Sequence, residues 1–302
     1  MIMSNSIFRA FLQCPARALA MHRGRILGTY DTPEWTEPTS RAMACGTLFD
    51  RMVLSGYVPG DKPDMAALSA ACASTYGNGD SAIEHLTTKK GEWNSYAQVT
   101  IRAAQRLLAD PAAAAMIANG DTHIAVNTEL SPLWTWRGEI DLLTQINGRR
   151  TVVDVKHPGS TDDGWIVCGG KNIKAPWYDV WGYWFQLAGY QYYVESQDGT
   201  QALGLTGAGI MYATNSDPAA VGYIALADNV ERWLTVLFGG VLTSGGGMLD
   251  KIAAIVTGAA PAPSCGHCDY CASRWLVQIP DGEPAQPVVG DEYGLTEERV
   301  AI

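Results

Sequence analysis

No apolar stretch in this chain of 302 residues approaches the roughly 20 residues that a membrane-spanning helix needs, so a transmembrane protein is not expected. The first residues, MIMSNSIFRAF, lack the charged-then-apolar layout of a secretory leader, and a cytoplasmic location is the expectation. No internal repeat is visible. Positive charge is scarce: 21 Lys and Arg face 31 Asp and Glu, a formal net charge of -10. Such a balance ordinarily counts against a polyanionic partner. Its distribution softens the point, because the last 22 residues hold six acids and one Arg, whereas Arg9, Arg17, Arg23 and Arg25 all precede the first acid, Asp31. A solvated surface and a basic N-terminal face both fit that pattern. Seven cysteines in a cytosolic chain argue against a disulfide framework and for metal ligation where the spacing suits it. With 47% hydrophobic residues, the chain can bury one large core or two small ones.

The coarse pattern is helical first and β second. Residues 6–22 place Ile7, Phe8, Phe11 and Leu12 at helical spacing behind a Ser, with Pro15 expected to interrupt or restart the helix. Residues 40–56 read as a second helix, and 64–118, rich in Ala, as mostly helical. From 123 onward HIAVNTEL, LWTWRGEIDLLTQI and RRTVVDVK read as consecutive strands. Residues 177–195 read as one aromatic helix, followed by strands near 207–213 and 221–226 and a helix over 228–238. The expected organisation is one domain over 1–280. It has a mainly helical part to 120, an α/β core over 121–240, a cysteine segment over 258–276 and an acidic tail from 281.

Asn147-Gly148 between the second and third strands is the strongest short hairpin signal. With those two residues as the turn, partner numbers sum to 295, which sets Asp141 opposite Asp154 and Glu139 opposite Lys156, all expected on one face. Facing carboxylates repel unless a proton or cation lies between them. A divalent metal is the natural occupant, magnesium or manganese from the hard oxygen donors, with Lys156 placed to orient a water or stabilise charge on a phosphate.

This constellation resembles the PD-(D/E)XK nuclease superfamily, where an Asp on one strand and an Asp/Glu-x-Lys on the next assemble the metal site. FQLAGY adds Gln186 and Tyr190 on one helix face, similar to the Gln-x-x-x-Tyr motif of the RecB-type branch. SIFRAFLQCPARALA and MACGTLFDRMVL resemble the opening helices of RecE-like phage exonucleases. The four segments in order span most of residues 4–275. The resemblance implies an α/β fold, a mixed central sheet flanked by helices, with an N-terminal helical region and a C-terminal cysteine cluster. It implies metal ligation by Asp141, Asp154 and the Val155 carbonyl, catalysis by Lys156 and Gln186, and substrate contact by Tyr190. Where that family usually offers a His ligand this chain has Asp50, which implies either a retained site with altered metal preference or a degenerate one. Glu129, on the strand before the hairpin, is the expected supporting acid.

Cys265, Cys268 and Cys271 form C-x2-C-x2-C, a spacing that lets three thiolates converge on one centre, and Cys14 is the best candidate for a fourth ligand. One early and three late cysteines are similar to the [4Fe-4S] set of AddB-type nucleases, which implies a structural cluster. Zinc, with His267 or His22 available, and unmetallated thiols are the alternatives. Cys45, Cys72 and Cys168 have no partner spacing and read as small buried hydrophobes.

The expectation is therefore a Mg²⁺- or Mn²⁺-dependent deoxyribonuclease, an exonuclease of phage or bacterial recombination. The resemblance implies linear duplex ends as substrate, with single strands as the alternative, 5′ to 3′ polarity, a single-strand annealing protein as partner and homo-oligomers. The competing readings are a non-catalytic DNA-end-binding module and an iron-sulfur redox protein. Trp177, Trp181 and Trp184 suit either stacking on unpaired bases or core packing.

Overall fold

The computed structural model describes residues 1–29, 40–60, 63, 64, 66, 83–168, 171–197, 205–239, 247–265, 268 and 271. Cys72, His267, the side chain of Cys168 and the acidic tail from 281 lie outside the described residues.

The chain opens with a short strand β1 (Ile2–Met3), then α1 (Asn5–Gln13) and α2 (Pro15–Leu27). Ser4 caps α1 by accepting the Ile7 N–H. Pro15 restarts the helix, as its missing N–H and fixed φ favour at a first helical position. Between the two helices stands Cys14 in extended conformation, closing α1 through its N–H to Ala10 and capping α2 with its sulfur. α3 (Arg41–Leu54), α4 (Ser95–Ala109) and α5 (Pro111–Ala118) follow, with Ser40, Asn94 and Asp110 as side-chain caps.

β2 (Asp121–Ser131), β3 (Trp134–Ile146) and β4 (Arg149–Lys156) run antiparallel. Asn147 at φ 52° and Gly148 at φ 76° both lie in the left-handed region that a two-residue hairpin turn demands. A separate hairpin, β5 (Gly164–Cys168) with β6 (Lys171–Ala175), was not foreseen in the sequence. The expected single helix over 177–195 is instead two, α6 (Trp177–Val180) and α7 (Tyr183–Gln197), because Gly182 takes φ 65° and breaks the helical path. β7 (Gly207–Ala213) and β8 (Val221–Leu226) complete the sheet, and α8 (Val230–Phe238) and α9 (Met248–Thr257) close the described chain before the cysteines.

The sheet order is β1-β3-β4-β7-β8, with β2 on the far edge of β3. α7 crosses over between β4 and β7, which pair in parallel, so the sheet is mixed and covered on both faces. Against one face pack Phe8 and Phe11 of α1, Phe185 of α7, Trp233 of α8 and Ile252 of α9. Against the other pack Leu48, Phe49 and Met52 of α3 with Ala103 and Leu107 of α4. β4 feeds both layers, Val152 into the first and Val153 and Val155 into the second, which explains its nearly continuous apolar run.

Candidate active site and cysteine centre

The β3–β4 ladder runs from Ile146 opposite Arg149 to Leu142 opposite Val153, in the register the turn dictates, and ends there. At the next position Asp141 Oδ2 accepts the Val155 N–H at 2.8 Å, so a side chain takes over the role of a backbone carbonyl. Further along β3, β1 pairs at Thr135 and Trp136 while β2 holds the opposite edge. The site is the fork left between β4 and β1 along the same edge of β3. Side-chain alternation also slips there, since Ile140 and Leu143 enter one core layer and Leu142 the other.

At the fork Lys156 Nζ lies 2.8 Å from Asp154 Oδ1 and 3.6 Å from Asp141 Oδ2. It also reaches the Val155 carbonyl at 3.3 Å. Glu139 does not face Lys156 as the extrapolated register required. The ladder has ended, and Glu139 Oε1 instead meets His123 Nδ1 at 2.8 Å. Asp50 on α3 joins from the other side, and with His123, Glu139, Asp141, Lys156 and Tyr183 it lines a cleft of about 410 Å³.

Asp154 is 1% exposed, and its Oδ2 has no hydrogen-bond partner among the described residues. Burial, reinforced by the Asp141 charge, pushes its carboxyl up to about 7 despite the pull of Lys156. Burial, and then Asp141, raises Asp50 to about 6. Burial alone would lower Lys156, but the two carboxylates outweigh it and hold the ammonium above the ordinary lysine range. Asp141 acts on both Asp154 and Asp50 and so links the three acids, and hard oxygen donors of this kind suit a divalent cation.

Gln186 on α7 donates from Nε2 to Asp154 Oδ1 at 3.0 Å and to Tyr190 Oη at 3.3 Å. Tyr190 is 5% exposed and lies against Gly138 of β3, where its hydroxyl accepts from Gln186. Glu129 is exposed opposite Thr135, six residues along β3 from Asp141, or about 20 Å of strand. The β2 residue bracketed opposite Asp141 is His123, between Thr122–Leu142 and Ile124–Ile140, and it went unnoticed in the sequence. Tyr183, whose ring lies 5.4 Å from Lys156 Nζ, was also missed. Trp177 and Trp184 are core residues, while Trp181 is exposed.

Cys14, Cys265, Cys268 and Cys271 bring their sulfurs within 4.8 Å of one another, and no His joins them among the described residues. Burial raises the thiols of Cys14 and Cys268, so four thiolates here call for a shared cation. With Cys14–Cys271 at 3.6 Å and Cys265–Cys271 at 3.9 Å, the four thiols converge closely enough to share one metal centre. Cys45 is buried on α3, away from this group.

Among solved structures, a crystal structure of a "Putative exonuclease" from Eubacterium rectale superposes with TM-score 0.65 at 19% identity, covering 94% of this chain and 91% of that one. A likeness of this kind concerns the fold. The structure of SSO0001 gives TM-score 0.30 at 12% identity over 92% of this chain and 96% of that one, too weak to carry an argument. No curated protein matches the chain. No helix among the described residues is long and apolar enough to cross a membrane. The sequence profile of a PDDEXK-like domain of unknown function, DUF3799, matches residues 4–274, and the chain belongs to that family.

Proposed function

We propose that this protein is a divalent-cation-dependent deoxyribonuclease acting on DNA ends as an exonuclease in phage or bacterial recombination. The observation that carries the reading is the buried Asp154 with its orphaned oxygen, set beside Asp141 and Lys156 at the fork. Asp141, Asp154, Asp50 and the Val155 carbonyl would hold Mg²⁺ or Mn²⁺. The bound ion supplies Lewis-acid polarisation of a phosphoryl oxygen. Lys156 orients the attacking water and offsets charge on the phosphate, and Gln186 fixes the Asp154 carboxylate in place. His123, paired with Glu139 across the cleft, is set to contact the substrate backbone. The name of the Eubacterium rectale neighbour supports the exonuclease reading by analogy. Duplex ends, 5′ to 3′ polarity, a single-strand annealing partner and a ring-shaped homo-oligomer extend the same analogy.

We read the four cysteines as a structural [4Fe-4S] or zinc centre. Visible absorption and metal analysis of anaerobically purified protein distinguish the two. The enzymatic test is degradation of an end-labelled linear duplex with Mg²⁺, Mn²⁺ or EDTA, with Lys156→Ala as control. Cation- and Lys156-dependent loss of label is expected. DNA bound yet uncut under every cation overturns the catalytic reading and leaves a DNA-end-binding module.

A further inference from the structure

Gln186 uses both of its amide hydrogens on Asp154 and Tyr190, which fixes its orientation: the carbonyl must point away from the carboxylate. That carbonyl accepts from Asn5 Nδ2 at 3.0 Å, a contact across 181 residues of sequence. Asn5 is the first residue of α1, and it makes this bond while its own Oδ1 is buried with no partner among the described residues. If the Asn5 amide were turned over, two carbonyl oxygens would face each other. Beside this contact Phe8 of α1 stacks on Phe185, the neighbour of Gln186, with ring centroids 4.7 Å apart and planes at 10°. α1 and α7 are thus registered by an aromatic stack and one polar contact that ends on the buried carboxylate.

We propose that Asn5 is a positioning residue of the carboxylate site, holding Gln186 so that its N–H stays on Asp154 and the free Asp154 oxygen stays aimed at the cation. The inference rests on the proposed cation site but not on nuclease activity. Outer partners of metal ligands act in this way, by fixing the ligand's orientation. Asn5→Asp separates positioning from packing. The two side chains share a shape, so the packing of α1 on α7 is kept while the donor is replaced by an acceptor. Asn5→Ala removes the donor without adding charge.

The test uses the full chain and reads Mn²⁺ uptake at the site, by electron paramagnetic resonance, next to cleavage of the end-labelled duplex. Asp154→Asn identifies the site's share of the Mn²⁺ signal. Both Asn5 variants should unfold within about 3 °C of wild type, the scale of one hydrogen bond in a chain of this length. Both should bind Mn²⁺ roughly 10-fold more weakly. Combining Asn5→Ala with Gln186→Ala should cost no more than Gln186→Ala alone, because the one acts through the other. Wild-type affinity in either Asn5 variant, or additive losses in the double variant, overturns the proposal, as does a wild-type protein that takes up no Mn²⁺ at Asp154. Mn²⁺ bound at Asp154 without cleavage sinks the nuclease reading alone and leaves the Asn5 prediction to be read on affinity.

Discussion

Asp154 and Asp50 are acids that burial has made reluctant to ionise, and this sets a direction for pH dependence. An ordinary Asp titrates near 4, whereas Asp154 is pushed up to about 7 and Asp50 to about 6. For an acid whose folded pKa is raised, the stabilisation is full below the unfolded value and fades as pH climbs through the folded one. In EDTA, the contribution of these two residues to stability should therefore decline between about pH 4 and pH 7. Urea unfolding across that range should show Asp154→Asn gaining on wild type as pH rises, and saturating Mn²⁺ should cancel the gain. Cation uptake must displace the same protons, so Mn²⁺ affinity should strengthen over that window. Lys156→Ala should lower cleavage by about 10²–10⁴, the range for a group that handles a proton or water in the reaction. It should also move Mn²⁺ uptake to higher pH, because Asp154 loses the ammonium 2.8 Å away.

Elements carry that geometry, and their contacts make separate predictions. A Cβ on Gly138 of β3 would come 3.1 Å from the Tyr190 ring. Gly138→Ala should thus destabilise the fold by about 1–3 kcal/mol through overpacking, as read by urea unfolding. It should also weaken Mn²⁺ binding by lifting α7, and Gln186 with it, off β4. How much of this was readable in advance varies by element. The β3–β4 hairpin was, because Asn147-Gly148 leaves one register open, and that register led from the turn to Asp141, Asp154 and Lys156. The β2–β3 connection offers no such turn, and its register shifts between Glu129 and Ser131. Parity along β2 was therefore unavailable, and an acid was favoured where His123 actually meets the site. Nor could an alternation argument foresee that the ladder would end at Asp141, since the departure depends on a side chain bonding the Val155 N–H. Asp50 was reached by resemblance, whereas the burial of Tyr190 follows from its packing on Gly138, a tertiary fact with no local signature.

At the scale of the whole molecule, the four cysteines tie the first helices to the last described residues. A centre joining Cys14 to Cys271 closes a loop of 257 residues. Cys14→Ser should lower stability by about 5 kcal/mol, the scale of a cross-link over so long a loop. Exhaustive chelation of the wild type should reproduce most of that loss, and a Cys14→Ser protein should be insensitive to the chelator. Phe8→Ala, in the layer between α1 and α7, should cost about 3–5 kcal/mol whether or not the centre is loaded. The span of that loop also has a meaning in time. A chain emerges from the ribosome N-terminus first, at about 5–20 residues per second. Cys14 must therefore wait for residues 265–271 before it can be ligated, by which point every carboxylate of the fork has already been made. Until then α1 is held by its packing on the sheet and on α7, through Phe8 on Phe185 and Asn5 on Gln186. The tie through Cys14 is thus made after the contacts of α1 with α7, so it reinforces a packing already in place.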